Sequence, residues 1–241
     1  MRFPFVIFDL NGTLVDTFAD LTTALNETLT ELQRPLLDES QVRPWTGQGL
    51  RAMLRAALVT TGAPLTDLEI AGLLQGFRTR YAERLGAQAH LYPEVPETLR
   101  EMQQAGVRMA ILTNKPQEQS LALLERMGIA QYFEYFLSCT GGDAPGPGVP
   151  RKPDPAGVHQ LIAQMGGTEE LTLMVGSSRI DRETARNAGL TCAIVQQPQS
   201  EASRLYVHGL GADFVLDEFR KLRALVLGRR ESGAFPLQER R

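Results

Sequence analysis

A chain of 241 residues, 43% of them hydrophobic, can bury a full core as one large domain or two smaller ones. Its 25 basic and 28 acidic residues leave a formal charge of −3, which offers nucleic acid or an anionic membrane no electrostatic attraction. Cys139 and Cys192 lie in apolar stretches without metal-type spacing and read as reduced core thiols of a cytoplasmic protein; no signal peptide precedes the first apolar stretch, and no apolar run reaches membrane-spanning length.

Phe5 to Phe8, β-branched and aromatic, reads as a buried strand that stops at Asp9, with Asn11, Gly12 and Thr13 forming a turn group. From Phe18 to about Gly86 apolar residues recur at helical spacing, interrupted by Arg34-Pro35, Thr46-Gly-Gln-Gly49 and Gly62-Ala-Pro64. This predicts an all-helical insert of roughly four helices over residues 17–86. From Leu91 the pattern alternates. Helices are expected over Val95–Gln104, Gln117–Met127, Asp154–Met165, Arg182–Ala188 and Glu218–Leu227. Strands are expected over Val107–Leu112, Tyr132–Ser138, Leu171–Val175, Thr191–Val195 and Asp213–Leu216. The Gly/Pro run Thr140–Pro150 must be a loop, and residues 229–241 form a charged tail. Alternating strands and helices give an α/β fold with a doubly wound parallel sheet, built from residues 1–16 and 87–228, with the helical cap over the crevice at the strand ends.

That crevice should collect Asp9 and Thr13 from the first strand, Thr113 and Asn114 from the second, Lys152 at a helix start, and Ser177, Ser178 and Asp181 after the strand ending at Val175. A carboxylate, hydroxyl and amide donors and an ammonium converging on one pocket suit an anionic substrate and covalent catalysis by carboxylate.

Four stretches, Asp9-Leu-Asn-Gly-Thr-Leu-Val-Asp16, Leu112-Thr-Asn-Lys-Pro116, Arg151-Lys-Pro-Asp-Pro155 and Val175-Gly-Ser-Ser-Arg-Ile-Asp181, carry a resemblance. The chain resembles the haloacid dehalogenase-like hydrolases, in particular their phosphoglycolate phosphatase-like branch with a helical cap. The resemblance implies a Rossmann-like core and hydrolysis of a small anionic phosphorylated metabolite through an aspartyl-phosphate on Asp9. It implies that Thr113 bonds a phosphoryl oxygen with Asn114 beside it, and that Lys152 neutralises developing charge. Mg²⁺ would be held by Asp9, the carbonyl of Asn11, the residue at 177 and Asp181. In the cap, Thr46-Gly47-Gln48-Gly49-Leu50-Arg51 matches the family's specificity loop, and Arg43 and Arg51 would reach a substrate carboxylate.

Two positions depart from that pattern. The phosphatases carry an aspartate two residues after the nucleophile as general acid and base, where this chain has Asn11. An amide cannot donate and accept that proton, so acid–base help of roughly 10²–10⁴-fold is missing. The second is Ser177, where the family has a metal-binding aspartate; the Mg²⁺ site should be weakened or lost. Three readings follow: a non-catalytic relative that binds a metabolite or a protein partner, a variant made to trap substrate, or a metal-independent 2-haloacid dehalogenase. Dehalogenases place an aromatic residue shortly after the lysine, where this chain has Val158 and His159. Asn11-Gly12 is also a deamidation-prone pair, and conversion would create an aspartate at the departing position.

Overall fold

The computed structural model describes residues 1–45, 49–139, 148–196 and 209–228. It divides into two compact units, one of Met1–Val15 with the chain from Leu91 onward, the other of Asp16–His90. The divisions fall beside two-residue strands, β2 (Val15–Asp16) and β3 (His90–Leu91), which pair with each other. Segments that short carry no periodicity of their own, so the sequence places the boundaries at 16/17 and 86/87 instead.

The first unit is a six-stranded parallel sheet. Its strands are β1 (Phe5–Phe8), β4 (Arg108–Thr113), β5 (Tyr135–Ser138), β6 (Thr172–Gly176), β7 (Thr191–Val195) and β8 (Phe214–Leu216), in the order β5-β4-β1-β6-β7-β8. The chain leaves β1 for one side of the sheet and returns at β6 on the other. That reversal is the switch point at which doubly wound sheets open a ligand crevice beyond the strand ends. Phe8 is level with Ile111 of β4 and Val175 of β6, so Asp9, Thr113 and Ser177 leave their strands at one edge.

Period-two alternation sends Ile7, Ala110, Leu112 and Met174 to one face, covered by Val158, Leu161, Ile162 and Met165 of α7 (Ala156–Met165). Phe8 points the other way, edge-on to Phe133 at 6.0 Å and stacked on Phe219 at 6.4 Å. Among the described residues, the remaining helices of this unit are α5 (Val95–Gln104), α6 (Gln117–Arg126), α8 (Arg179–Asn187) and α9 (Lys221–Leu227). Four element starts differ by two residues or more from the sequence expectation, among them α9, which begins at Lys221 rather than Glu218. Ala130–Tyr132 form a 3₁₀ turn, which delays β5 to Tyr135. Pro155 is the N-cap of α7, which begins two residues later than periodicity suggests. Ser178 caps α8, which therefore begins three residues earlier.

Cys139 and Cys192 are both fully buried beside α7 and the sheet. Burial pushes the Cys139 thiol up to about 11 and the Cys192 thiol higher still. Native protein should therefore show no fast reaction with a disulfide reagent at mildly alkaline pH, and both thiols should titrate once guanidinium is added. Fast labelling of either cysteine in the folded chain contradicts this packing.

The second unit holds α1 (Phe18–Glu31), α2 (Glu39–Val42), α3 (Leu50–Thr61) and α4 (Asp67–Arg84). Leu21, Leu25 and Leu29 of α1 meet Leu54 and Leu58 of α3 and Ile70, Leu74 and Phe77 of α4. Asp38 and Thr66 open α2 and α4 with complete capping boxes. Trp45, the single tryptophan, packs against this core. Asp20 is fully buried and accepts the main-chain N–H groups of Gly86 (2.7 Å) and Gln88 (2.8 Å), clasping the segment that leaves α4. Asp20→Ala leaves two N–H groups without that acceptor and should cost about 2–4 kcal/mol. Trp45 fluorescence during urea unfolding should show the helical unit melting earlier; an unchanged midpoint removes the clasp. No helix among the described residues is long and apolar enough to cross a membrane.

Candidate active site

Asp9 extends β1 by one ladder bond, its N–H donating to the carbonyl of Val175 at 2.9 Å. The chain then turns tightly through Gly12, whose φ of +81° is a left-handed conformation open to glycine, and Gly12 N–H donates to Val15 O at 2.9 Å. This turn brings Thr13 back beside Asp9. The Thr13 hydroxyl lies 3.3 Å from Asp9 Oδ2 and 3.2 Å from Ser177 Oγ. One hydroxyl carries one proton, so the three groups form a chain in which Ser177 donates to Thr13 and Thr13 to Asp9.

Lys152 reaches the same point from the segment before α7. Its ammonium donates to Asp9 Oδ1 and Asp181 Oδ1, each at 2.7 Å, and its side chain is 3% exposed. The lysine is held from behind by Asn114. Lys152 N–H donates to Asn114 Oδ1 at 2.8 Å, and Asn114 Nδ2 donates to Lys152 O at 3.2 Å. Asn114 thus positions Lys152 through both ends of its amide. Thr113 is buried, and its Oγ accepts Lys115 N–H at 3.2 Å, which leaves its own proton to donate.

Asp181 occupies the third position of α8 and closes a capping box with Ser178. Its Oδ2 accepts from Ser177 N–H (3.1 Å), Ser178 N–H (3.0 Å) and the Ser178 hydroxyl (2.7 Å). The carboxylate folds against the end of β6 only because Gly176 has no side chain. A Cβ there would lie 2.3 Å from Asp181 Cβ and 2.6 Å from Oδ2. Periodicity alone does not mark Gly176 as a close approach, Ser178 as a cap or Asn114 as a clamp. The local signal for the cap is the run Ser178-x-x-Asp181, a capping box opening directly off a strand.

Burial pushes the Asp9 carboxyl up to about 6, with the Lys152 ammonium opposing it and the Asp181 charge adding to it. Burial acts on Asp181 in the same direction but is outweighed by Lys152 and by the Ser178 and Ser177 bonds, which hold its carboxyl below the usual range. Burial disfavours the Lys152 ammonium, yet the two carboxylates more than compensate and keep it protonated. The carboxylate with more donors stays the stronger acid, and Asp9, with fewer donors, is left as the more basic and more nucleophilic one.

Asp9, Thr13, Thr113, Asn114, Lys152, Ser177 and Asp181 thus meet at one edge of the sheet, and Asn11 sits in the turn between Asp9 and Thr13, bridged to Val15. The candidate residues Arg43, Arg51 and Gly49 belong to the helical unit. Arg43 donates to Asp16 Oδ2 and Glu39 Oε2, both at 3.0 Å, and lies 4.0 Å over the Phe18 ring, so its guanidinium is engaged within that unit. Arg51 is exposed and reaches Asp67 at 3.4 Å. Gly49 is the N-cap of α3 with φ +91°, and Gly47 lies outside the described residues. Of the positions after the lysine, Val158 is buried in the core under the sheet and His159 is exposed, so neither supplies an aromatic wall for a halogen.

The family model for haloacid dehalogenase-like hydrolases matches residues 6–195. A phosphoglycolate phosphatase of Caulobacter vibrioides is 36% identical over 214 residues, covering 89% of this chain and 86% of its own. One from Agrobacterium fabrum is 34% identical, covering 91% and 90%. The crystal structure of a predicted phosphoglycolate phosphatase from Haemophilus somnus superimposes with a TM-score of 0.81 at 28% identity, covering 93% of this chain and 98% of that one.

Proposed function

We propose, for a chain that belongs to the haloacid dehalogenase-like hydrolase family, that its core unit is a phosphatase-type site for a small phosphorylated metabolite of the phosphoglycolate kind. The observation that carries this is the Lys152 ammonium set 2.7 Å from both Asp9 and Asp181 at the switch point of the sheet. Asp9 is the nucleophile. Its carboxylate oxygen forms the bond to phosphorus as the ester P–O bond breaks, giving an aspartyl-phosphate and an alkoxide that needs a proton. Thr113 donates to a phosphoryl oxygen, and Lys152 stabilises the charge that moves from Asp9 to the ester.

In the phosphatases this chain resembles, the proton for the alkoxide comes from an aspartate at the position of Asn11, and an amide has none to give at neutral pH. Nor can it draw a proton from the water that must later open the aspartyl-phosphate. This supports binding with slow turnover over an efficient enzyme. The donor set also does not fit Mg²⁺ as it stands. That ion needs near-octahedral oxygens at about 2.0–2.1 Å. Here both inner carboxylate oxygens hold an ammonium, the outer oxygen of Asp181 holds three donors, and Ser177 offers a neutral hydroxyl bonded to Thr13.

Hydrolysis of p-nitrophenyl phosphate and 2-phosphoglycolate, with and without Mg²⁺, tests the reading. Slow turnover that disappears in Asp9→Asn is the expected result. Fast turnover by the chain as it stands overturns the impairment. Turnover that survives Asp9→Asn overturns the assignment of the nucleophile.

A further inference from the structure

We infer that the pocket at Asp9 binds a phosphate-type dianion without any divalent cation, Lys152 being the resident positive charge between Asp9 and Asp181. The inference rests on the phosphatase-type reading above, but concerns how the site holds its charge. Two carboxylates and one ammonium give the cluster a formal charge of −1. With aspartates at 11 and 177, as in the phosphatases this chain resembles, the same cluster would stand at −3. A divalent ion would return it to −1. The two departures therefore remove the charge that such an ion would neutralise, and the metal-free site meets a dianion with the net charge of a metal-loaded one.

The geometry agrees with the count. Lys152 uses two of its three N–H donors on the carboxylates, which leaves one for an incoming oxygen. Thr113 retains its hydroxyl proton for a second, because its oxygen takes the Lys115 N–H. Ser177 contributes no charge, and its hydroxyl joins the chain through Thr13 that steadies Asp9 Oδ2. Each inner carboxylate oxygen faces the ammonium, and an ion entering between them must displace it.

The test is calorimetric titration of the full chain with inorganic phosphate, in EDTA and in millimolar Mg²⁺. The same affinity in both buffers is expected. Ser177→Asp should weaken phosphate binding in EDTA by about tenfold or more, since it adds a like charge within a few ångströms. Mg²⁺ should then restore it. Lys152→Met and, as a variant that leaves the buried charges in place, Thr113→Val should each weaken binding in both buffers. Phosphate binding by the unaltered chain only when Mg²⁺ is present overturns the inference and leaves the phosphatase-type pocket standing. Binding by Ser177→Asp with Mg²⁺ but not by the unaltered chain has the same meaning. Binding that persists in both Lys152→Met and Thr113→Val places the anion elsewhere and also overturns it. No binding by any form in either buffer removes the phosphate pocket itself.

Discussion

Lys152→Met is expected to destabilise the core unit by about 3–5 kcal/mol, the cost of leaving buried carboxylates without their counter-charge. The side chain is 3% exposed and bonded at 2.7 Å to Asp9 and Asp181, so water cannot replace it. Asp181 keeps three other donors after the substitution, whereas Asp9 keeps the Thr13 hydroxyl and the Leu10 main-chain N–H. The penalty therefore falls mainly on Asp9, which would relieve it by taking up a proton. A double-mutant cycle separates the ion cluster from simple loss of packing. In an Asp9→Asn background one of the two carboxylates is already neutral, and Lys152→Met should then cost clearly less than in the parent. Urea unfolding followed by far-ultraviolet circular dichroism gives the core transition, with Trp45 fluorescence reporting the helical unit separately. Two units can melt apart, so the two signals need independent fits. Equal costs in both backgrounds would mean that Lys152 stabilises through its hydrocarbon stem rather than through its charge.

Much of this architecture is visible in the chain because buried parallel strands are short apolar runs that stop at the polar residues they deliver. Phe5–Phe8 stopping at Asp9 and Arg108–Thr113 stopping at Asn114 are of this kind. The turn at Gly12 is equally readable, and the Ser178 box has a local chemical cause even though periodicity alone starts that helix at Arg182. What periodicity does not reveal is which polar atoms are spent on each other. Asn114 and Lys152 are 38 residues apart, and Asp20 lies 66 residues from the Gly86 N–H that it holds. Such pairings depend on where the folded chain returns. Arg43 is of the same kind: the sequence offers it as a substrate cation, and its partners Asp16, Glu39 and Phe18 become visible only in the fold. Gly176 is a close-approach position, and nothing in its local sequence says that Asp181 folds back against it.

Restoring both carboxylates, Asn11→Asp with Ser177→Asp, should raise Mg²⁺-dependent hydrolysis of p-nitrophenyl phosphate by roughly 10²–10⁴-fold, the contribution of a positioned acid and base. Asn11→Asp alone supplies the proton but leaves only Asp9 and Asp181 for a divalent ion, both engaged by Lys152. Ser177→Asp alone supplies the ligand but no proton. The gain should therefore be far from additive. The carboxylate at 177 would stand where the Ser177 hydroxyl meets Thr13, within reach of Asp9 and Asp181, and with the one at 11 four like charges would share one ammonium. Without a metal the double variant should melt below the parent, and Mg²⁺ should raise its melting temperature while leaving the parent unmoved. At a Mg²⁺ concentration about a hundred times its dissociation constant, linkage gives about 2.7 kcal/mol of that stabilisation. Intact-mass analysis of the parent belongs beside the assay, because Asn11 precedes Gly12 and a deamidated fraction would carry an acid at position 11 on its own. Equal rates for parent and double variant would mean that Asn11 and Ser177 do not limit this site. A double variant that gains stability from Mg²⁺ yet hydrolyses nothing would mean that the pocket holds a phosphate without being shaped to cleave its ester.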